Sequence, residues 1–495
     1  MLIGLAALVE QLQLQVPAPA VRSEVVQGAR RTRIEGQRIY EQYPPSYGRE
    51  DTPFEHLRFG LRYEPVDLGV ISAFFGSIPK KDVEAWVRSE PTGKFARRAW
   101  YLYELLTNAT LDIPDVPPTR AVPILEPTLH ITGPGFLVPR QRVMDNLLGN
   151  RDYCPLIRRT EALNETNLED LRKAISAIVA DVNPVILARA VQYLYTKETK
   201  SSFAIERETP SADRTERFVA ALSHASEFDA ASKEQLVRLQ NMIVDVRYAQ
   251  QDWRKIHNFV GQTASDWSER VHFVCPKPED VPSLMDGWMR MVQRLEHRET
   301  HPICAAAATA FGFVFVHPFE DGNGRIHRFL VHHTLGKLGF TPAGILFPVS
   351  AAMLRDLVAY DRVLKNYSAS IMPFVRHSFD EHRHLVVSNE TGHLYRYFDA
   401  TAQSEYLVSC IRDTIERDLK EEIGFIRVFD GALQATMRIV DMPDQRASLL
   451  VRLILQNQGK LSKAKRNQFS ELTDLEIQRI EGAVRTATQE AGRPS

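Results

Sequence analysis

Apolar residues recur at helical spacing along most of this chain. Val83, Trp86 and Val87 share a face of the segment Lys81 to Ser89, which predicts a helix. Pro91-Thr92-Gly93 breaks it, and Phe95 to Leu106 predicts the next one. Pro114, Pro117 and Pro118 mark an extended linker. Leu129 to Val138 predicts a short hairpin turning at Gly133-Pro134-Gly135. From Asn167 onward Leu168, Leu171, Ile175 and Ile178 line one helical face. Asn183-Pro184 interrupts that helix, and another runs through Ala188, Val191 and Tyr195. Phe218 to Leu222, Leu284 to Leu295 and Ile303 to Val316 are further helical segments. Residues 395 to 490 also read as helix, ending in a segment that opens Thr473-Asp474-Leu475-Glu476, an acidic first turn that suits the helix dipole. The predicted architecture is mainly α, with small hairpins.

Composition narrows the picture modestly. A chain of 495 residues predicts two to four domains. Hydrophobic content of 44% is enough for real cores, and a net charge of −1 gives no bulk basic field for nucleic acid or acidic membrane. No apolar run reaches the roughly 20 residues needed to span a bilayer. Met1 to Val9 is apolar, but it lacks a basic n-region and Glu10 follows at once, so it predicts an N-terminal helix docked on the body rather than a secretory signal. Cys154, Cys275, Cys304 and Cys410 are scattered, which predicts four unpaired thiols in a reducing cytoplasm. Arg30-Arg31-Thr32-Arg33 and Lys460 to Arg466 are dense basic runs that read as solvated faces.

The chemistry is concentrated in His317-Pro-Phe-Glu-Asp-Gly-Asn-Gly-Arg-Ile-His-Arg328. An apolar helix ends near His317, Gly322-Asn323-Gly324 turns the chain, and a second helix starts there. Free N–H groups at a helix start, with glycines that admit close approach, make an anion site. Asn323 can hold the turn with its side chain. Arg325 and Arg328 share a helical face and suit further phosphate oxygens. Asp321 is placed to ligate magnesium, which takes few protein carboxylates. His317, mostly neutral near pH 7, can accept a proton. Phe319 is expected in the core, and His327, His332 and His333 at the surface or in packing.

This segment matches eight of eight fixed positions of His-x-Phe-x-(Asp/Glu)-Gly-Asn-Gly-Arg-x-x-Arg, and so resembles the signature of the Fic domain. The resemblance covers roughly residues 190 to 380. It implies a Fic-type helical bundle that transfers AMP from ATP to a Tyr, Ser or Thr hydroxyl of a target protein. By that resemblance His317 is the general base and Asp321 the Mg2+ ligand. Gly322, Asn323 and Gly324 cradle the α-phosphate, and Arg325 and Arg328 hold the β- and γ-phosphates. Glycine at 324, where the related Doc kinases carry lysine, favours AMP transfer. Arg270 to Val281 resembles the family's flap hairpin, which pairs with the target segment as an added strand. Its tip is expected at Val271, His272 and Phe273, covering the nucleotide, and Tyr360 is either an adenine contact or a packed aromatic.

Many Fic proteins also carry (Ser/Thr)-x-x-x-Glu-(Gly/Asn) on an inhibitory helix. Ser202-Phe-Ala-Ile-Glu206 resembles it, departing at Arg207, and Arg328 is the expected partner of Glu206. Glu35 and Glu481 are competing positions, each followed by glycine but lacking the hydroxyl. Expected units are 1–150, of unstated role; 151–212, with the candidate inhibitory helix; 213–380, the Fic domain; and 381–495, a helical C-terminal region. The flanks are candidates for target binding or homodimer formation. Removal of AMP, another nucleotide donor, and a nucleotide-binding regulatory role remain as alternatives.

Overall fold

The computed structural model describes residues 1–36, 38–180, 182–263, 269–297, 300–342 and 344–491. Its first 43 residues depart most from the helical expectation. They form a four-stranded sheet, order β1-β2-β4-β3, from β1 (Leu2–Ile3), β2 (Val21–Val25), β3 (Arg31–Glu35) and β4 (Arg38–Tyr43). β2 and β4 run parallel, and the outer pairs are antiparallel. Every residue of β3 is exposed, so this strand has no buried face and leaves no period-2 apolar trace in the sequence. Met1 to Val9 is therefore a strand followed by a short helix, α1 (Leu5–Gln11), whose Leu5 and Leu8 are buried as a docked helix requires.

Behind this sheet lie α2 (Pro53–Tyr63), α3 (Leu68–Ser77), α4 (Lys80–Ser89) and α5 (Lys94–Thr107). They close around Phe74, Trp86 and Trp100. The hairpin expected over Leu129 to Val138 is shifted. β5 (Val122–Pro123), β6 (Phe136–Val138) and β7 (Val143–Asp145) form a small sheet in which β6 pairs with β7 across Pro139 to Arg142. Ile131 instead donates its N–H to the carbonyl of Ile157, so the segment before Gly133 has a different partner.

The main core follows. α6 (Glu165–Ala180) and α7 (Pro184–Ile205) are separated as Pro184 requires, with Asn183 capping α7 through Val185 N. Next come α8 (Ala212–Ser223), α9 (Lys233–Ile243), the hairpin β8 (Phe259–Thr263) with β9 (Glu269–Val274), and α10 (Val281–Leu295). α11 (Pro302–Val316) and α12 (Asn323–Lys337) pack against each other at the centre. Fourteen of the fifteen residues of α11 are buried, and Phe311, Phe313 and Phe315 each contribute about 2–3 kcal/mol of apolar burial. α13 (Val349–Arg355) and α14 (Leu357–Ile371) lead through a minor hairpin, β10 (His377–Phe379) with β11 (Leu385–Val387), to α15 (His393–Arg396) and α16 (Thr401–Asp413). α17 (Lys420–Ile439), α18 (Asp444–Gln456), α19 (Lys463–Arg466) and α20 (Asp474–Ala491) finish the chain around Leu450, Ile454 and Ile480. Thr473 and Glu476 cap α20 reciprocally, which fixes the start its acidic first turn predicts.

The fold of the described residues is mainly α, with four small sheets beside the helices. Among the described residues no helix is long and apolar enough to cross a membrane.

Candidate active site

α11 ends in a left-handed residue, His317, at φ 51° and ψ 58°. A β-carbon disfavours that conformation by about 1–2 kcal/mol, so neighbouring contacts must hold it. Arg254 supplies them. Its Nε donates to the His317 carbonyl at 2.8 Å, and its backbone N–H donates to the Pro318 carbonyl at 2.8 Å. The Val314 carbonyl lies 3.1 Å from His317 Nδ1. A carbonyl only accepts, so Nδ1 carries the proton and Nε2 keeps its lone pair. Burial pushes the imidazole down to about 4. The Val314 carbonyl opposes this, Arg254 adds to it, and Glu206 and Asp321 pull weakly upward.

The turn between α11 and α12 is tied from inside. The Asn323 side chain accepts from Phe319 N at 3.0 Å and donates to the Phe319 carbonyl at 2.7 Å. Phe319 is buried against Trp253 and Phe313. Gly322 sits at φ 93°, as the tight reversal demands. The first helical bond of α12 runs from Ile326 N to the Gly322 carbonyl, so the N–H groups of Asn323, Gly324 and Arg325 precede the ladder and are open to an anion. Asp321 Oδ1 accepts from Gly322 N at 2.6 Å and from Arg325 at 2.7 Å, and its side chain is about 40% exposed.

Both arginines are buried and both are engaged by carboxylates. Arg328 Nη2 donates to Glu206 Oε1 at 2.8 Å and to the Ser202 carbonyl at 2.7 Å, and its Nε donates to Ser202 Oγ at 2.8 Å. Burial would raise the Glu206 carboxyl, but the charge and hydrogen bond of Arg328 outweigh it, and the net shift is downward. Glu206 also lies on Gly324: a β-carbon there would collide with Glu206 Oε1. Arg325 Nη1 donates to Glu208 at 3.0 Å and Nη2 to Asp321. The structure thus gathers His317, Asp321, Gly322, Asn323, Gly324, Arg325, Arg328, Ser202 and Glu206 in one place.

Other expected residues fall elsewhere. Val271, His272 and Phe273 lie within β9, not at the hairpin tip, because β8 and β9 pair Gly261 with Val271 and Val260 with Phe273. The connecting residues 264–268 lie outside the described residues. Phe273 is a core residue packed on Phe315, Tyr367 and Tyr395, so its ring does not cover the site. Tyr360 is also packed, buried between the rings of His327 and Tyr406. Burial pushes its hydroxyl up to about 12 while Arg328, its neighbour, holds it down. Glu35 sits on exposed β3, and Glu481 caps Leu461 N in α20, so neither meets the arginines. His327, His332 and His333 are buried packing residues, and all four cysteines are buried.

Sequence reasoning missed several supporting side chains. Glu208 and Arg254 are two of them. Gln240 is a third, donating to the Asp321 carbonyl at 3.3 Å, and Gln250 is a fourth, accepting from Glu320 N at 2.9 Å. All act across long sequence separations with no motif spacing to betray them. For Glu208 the one available signal was its place two residues beyond Glu206.

Residues 230–335 match the Fic/DOC family. Over 104 residues it is 38% identical to a protein named "Protein adenylyltransferase Fic" of Nematostella vectensis, covering 21% of this chain and 23% of that protein. A protein of the same name from Drosophila yakuba is 36% identical over 104 residues, covering 21% and 20%. The match thus spans less than a quarter of the length of these relatives. Among solved structures, a Fic family protein from Desulfovibrio desulfuricans G20 aligns at TM-score 0.39 and 19% identity, over 57% of this chain and 82% of that one. A Fic-domain signalling protein from Bacteroides thetaiotaomicron aligns at 0.37 and 18%, over 52% and 97%.

Proposed function

We propose that this protein is a protein adenylyltransferase, moving AMP from ATP to a hydroxyl side chain of a target protein, and that Glu206 restrains it. The observation that carries this reading is the joining of a lone-pair-bearing His317 Nε2 to the Gly322–Gly324 turn and two buried arginines in one site. In the reaction the target oxygen attacks the α-phosphorus. The bond from that phosphorus to the bridging oxygen breaks, pyrophosphate leaves, and the hydroxyl proton passes to Nε2. The turn's N–H groups meet charge on the transferred phosphoryl, as preorganised donors do. Arg325 and Arg328 bind the remaining phosphates.

The exposed Asp321 carboxylate fits a magnesium ion held mainly by phosphate and water. Such an ion would neutralise phosphate charge; Asp321 would hold it and, through Arg325, keep its own orientation. Residues 213–380 would carry the transferase and 151–212 the restraining helix. Residues 1–150 and 381–495 would serve target binding or self-association. Four buried cysteines, none joined in a disulfide among the described residues, support a cytoplasmic setting.

Labelling with α-labelled ATP in a cell lysate tests the reading. The Glu206→Gly protein should label itself or a target more strongly than the parent, and His317→Ala should abolish labelling. Strong labelling by His317→Ala would sink the catalytic assignment, and unchanged labelling by Glu206→Gly the restraint. Mass spectrometry of the product separates AMP from another donated group, and release of AMP from a modified protein would favour the reverse reaction.

A further inference from the structure

We propose that Glu208 is a second carboxylate that bars the nucleotide, acting on Arg325 as Glu206 acts on Arg328. The inference rests on the adenylyltransferase reading of the site.

α7 ends in a two-bond cap. Arg207 N donates to the Ala204 carbonyl at 2.9 Å and Glu208 N to the Phe203 carbonyl at 3.0 Å, while Arg207 itself stands at φ 58°. This is the Schellman arrangement, with its left-handed residue usually glycine or asparagine. An arginine there explains the departure at Arg207: the conformation is kept although the residue favouring it is absent. The cap fixes the chain so that the residues on either side of Arg207 both reach α12. Glu206 Oε1 meets Arg328 and Glu208 Oε2 meets Arg325.

Glu208 is anchored from behind as well. The same Oε2 accepts from Arg214 Nη2 at 3.0 Å. Arg214 in turn donates to the Ile243 carbonyl at 3.1 and 2.8 Å. The guanidinium groups of Arg214 and Arg325 both lie over the Phe203 ring, at 5.1 and 5.3 Å, one turn before the cap. Arg325 is only 1% exposed, and its two terminal nitrogens are both spent, on Glu208 and Asp321. A phosphate arriving at Arg325 meets a guanidinium already neutralised, beside a carboxylate that repels it. Because Glu206 and Glu208 share one cap, loosening that turn frees both arginines together.

Nucleotides of different phosphate length distinguish this clamp from a structural role. Binding of AMP, ADP and ATP with magnesium is measured by calorimetry on the full chain carrying His317→Ala to prevent turnover. Glu208→Gln in that background should tighten ADP and ATP about tenfold, the change expected if the closed clamp holds about nine-tenths of the molecules. AMP, which has no phosphate for Arg325, should bind as before. Glu208→Asp, too short to reach Arg325, should behave like Glu208→Gln and serves if that variant folds poorly. Unchanged ADP and ATP affinity in both, with Glu206→Gly still tightening ATP, would overturn the role of Glu208 alone. Equal tightening of all three nucleotides would overturn it too, as a general loosening of the site. Absence of adenine nucleotide binding in every variant would instead overturn the functional reading beneath it.

Discussion

α11 and α12 are each fifteen residues long, lie side by side, and are almost wholly buried, yet they are built differently. α11 carries no charged residue, and its burial is its own driving force. α12 buries Arg325, His327, Arg328, His332 and His333. Most of these find partners on other elements: Glu206 and Glu208 beyond α7, Glu198 within it, and the Ala225 carbonyl after α8. Burying a charge is costly unless it is paired. The contrast teaches that α11 is the scaffold and α12 the element whose placement the surrounding chain must stabilise. Substitutions should then separate: in α11 they reach stability, in and around α12 they reach the site.

The sharpest challenge to that division is Ala306→Leu, at a fully buried position of α11. Overpacking should cost about 1–3 kcal/mol in denaturant unfolding while leaving labelling per folded molecule unchanged. A collapse in labelling with full stability would erase the distinction. A smaller effect is expected with pH. His317, at the seam of the two helices, is pushed down to about 4, so its base form persists well below pH 6.5 and is lost only as pH falls through about 4. Labelling by the Glu206→Gly protein at limiting nucleotide, which reports the groups of the unliganded protein, should therefore hold steady from pH 8 to 5.5. An acid limb near 6.5 would mean that burial does not govern this histidine. The smallest effect belongs to Arg207→Gly. Relief of the left-handed residue should stabilise the chain by about 1 kcal/mol and firm the cap, lowering basal labelling. Higher basal labelling would show that the cap does not hold the carboxylates in place.

These contrasts also explain what could be read from the sequence. α10, α11 and the start of α12 were legible because apolar spacing and a glycine-flanked turn are local signals. The pairing of Glu206 and Ser202 with Arg328 was legible through a family pattern, although the residues lie more than 120 positions apart. Glu208 and Arg254 were not, since nothing in their own neighbourhood signals a partner far along the chain. The N-terminal sheet was missed for the opposite reason: β3 has no buried face, so it writes no alternation. The core position of Phe273 was not legible either, since it follows from the pairing register of β9 with β8, which no local pattern reveals.

Arg254 joins three separate segments. Besides the His317 carbonyl, its guanidinium donates to the carbonyls of Ile256 and Pro276, which flank the β8–β9 hairpin on either side. One side chain is therefore a mechanical tie between the hairpin's two feet and the peptide that carries the base. Any shift of the hairpin's feet would therefore reach the histidine through three hydrogen bonds.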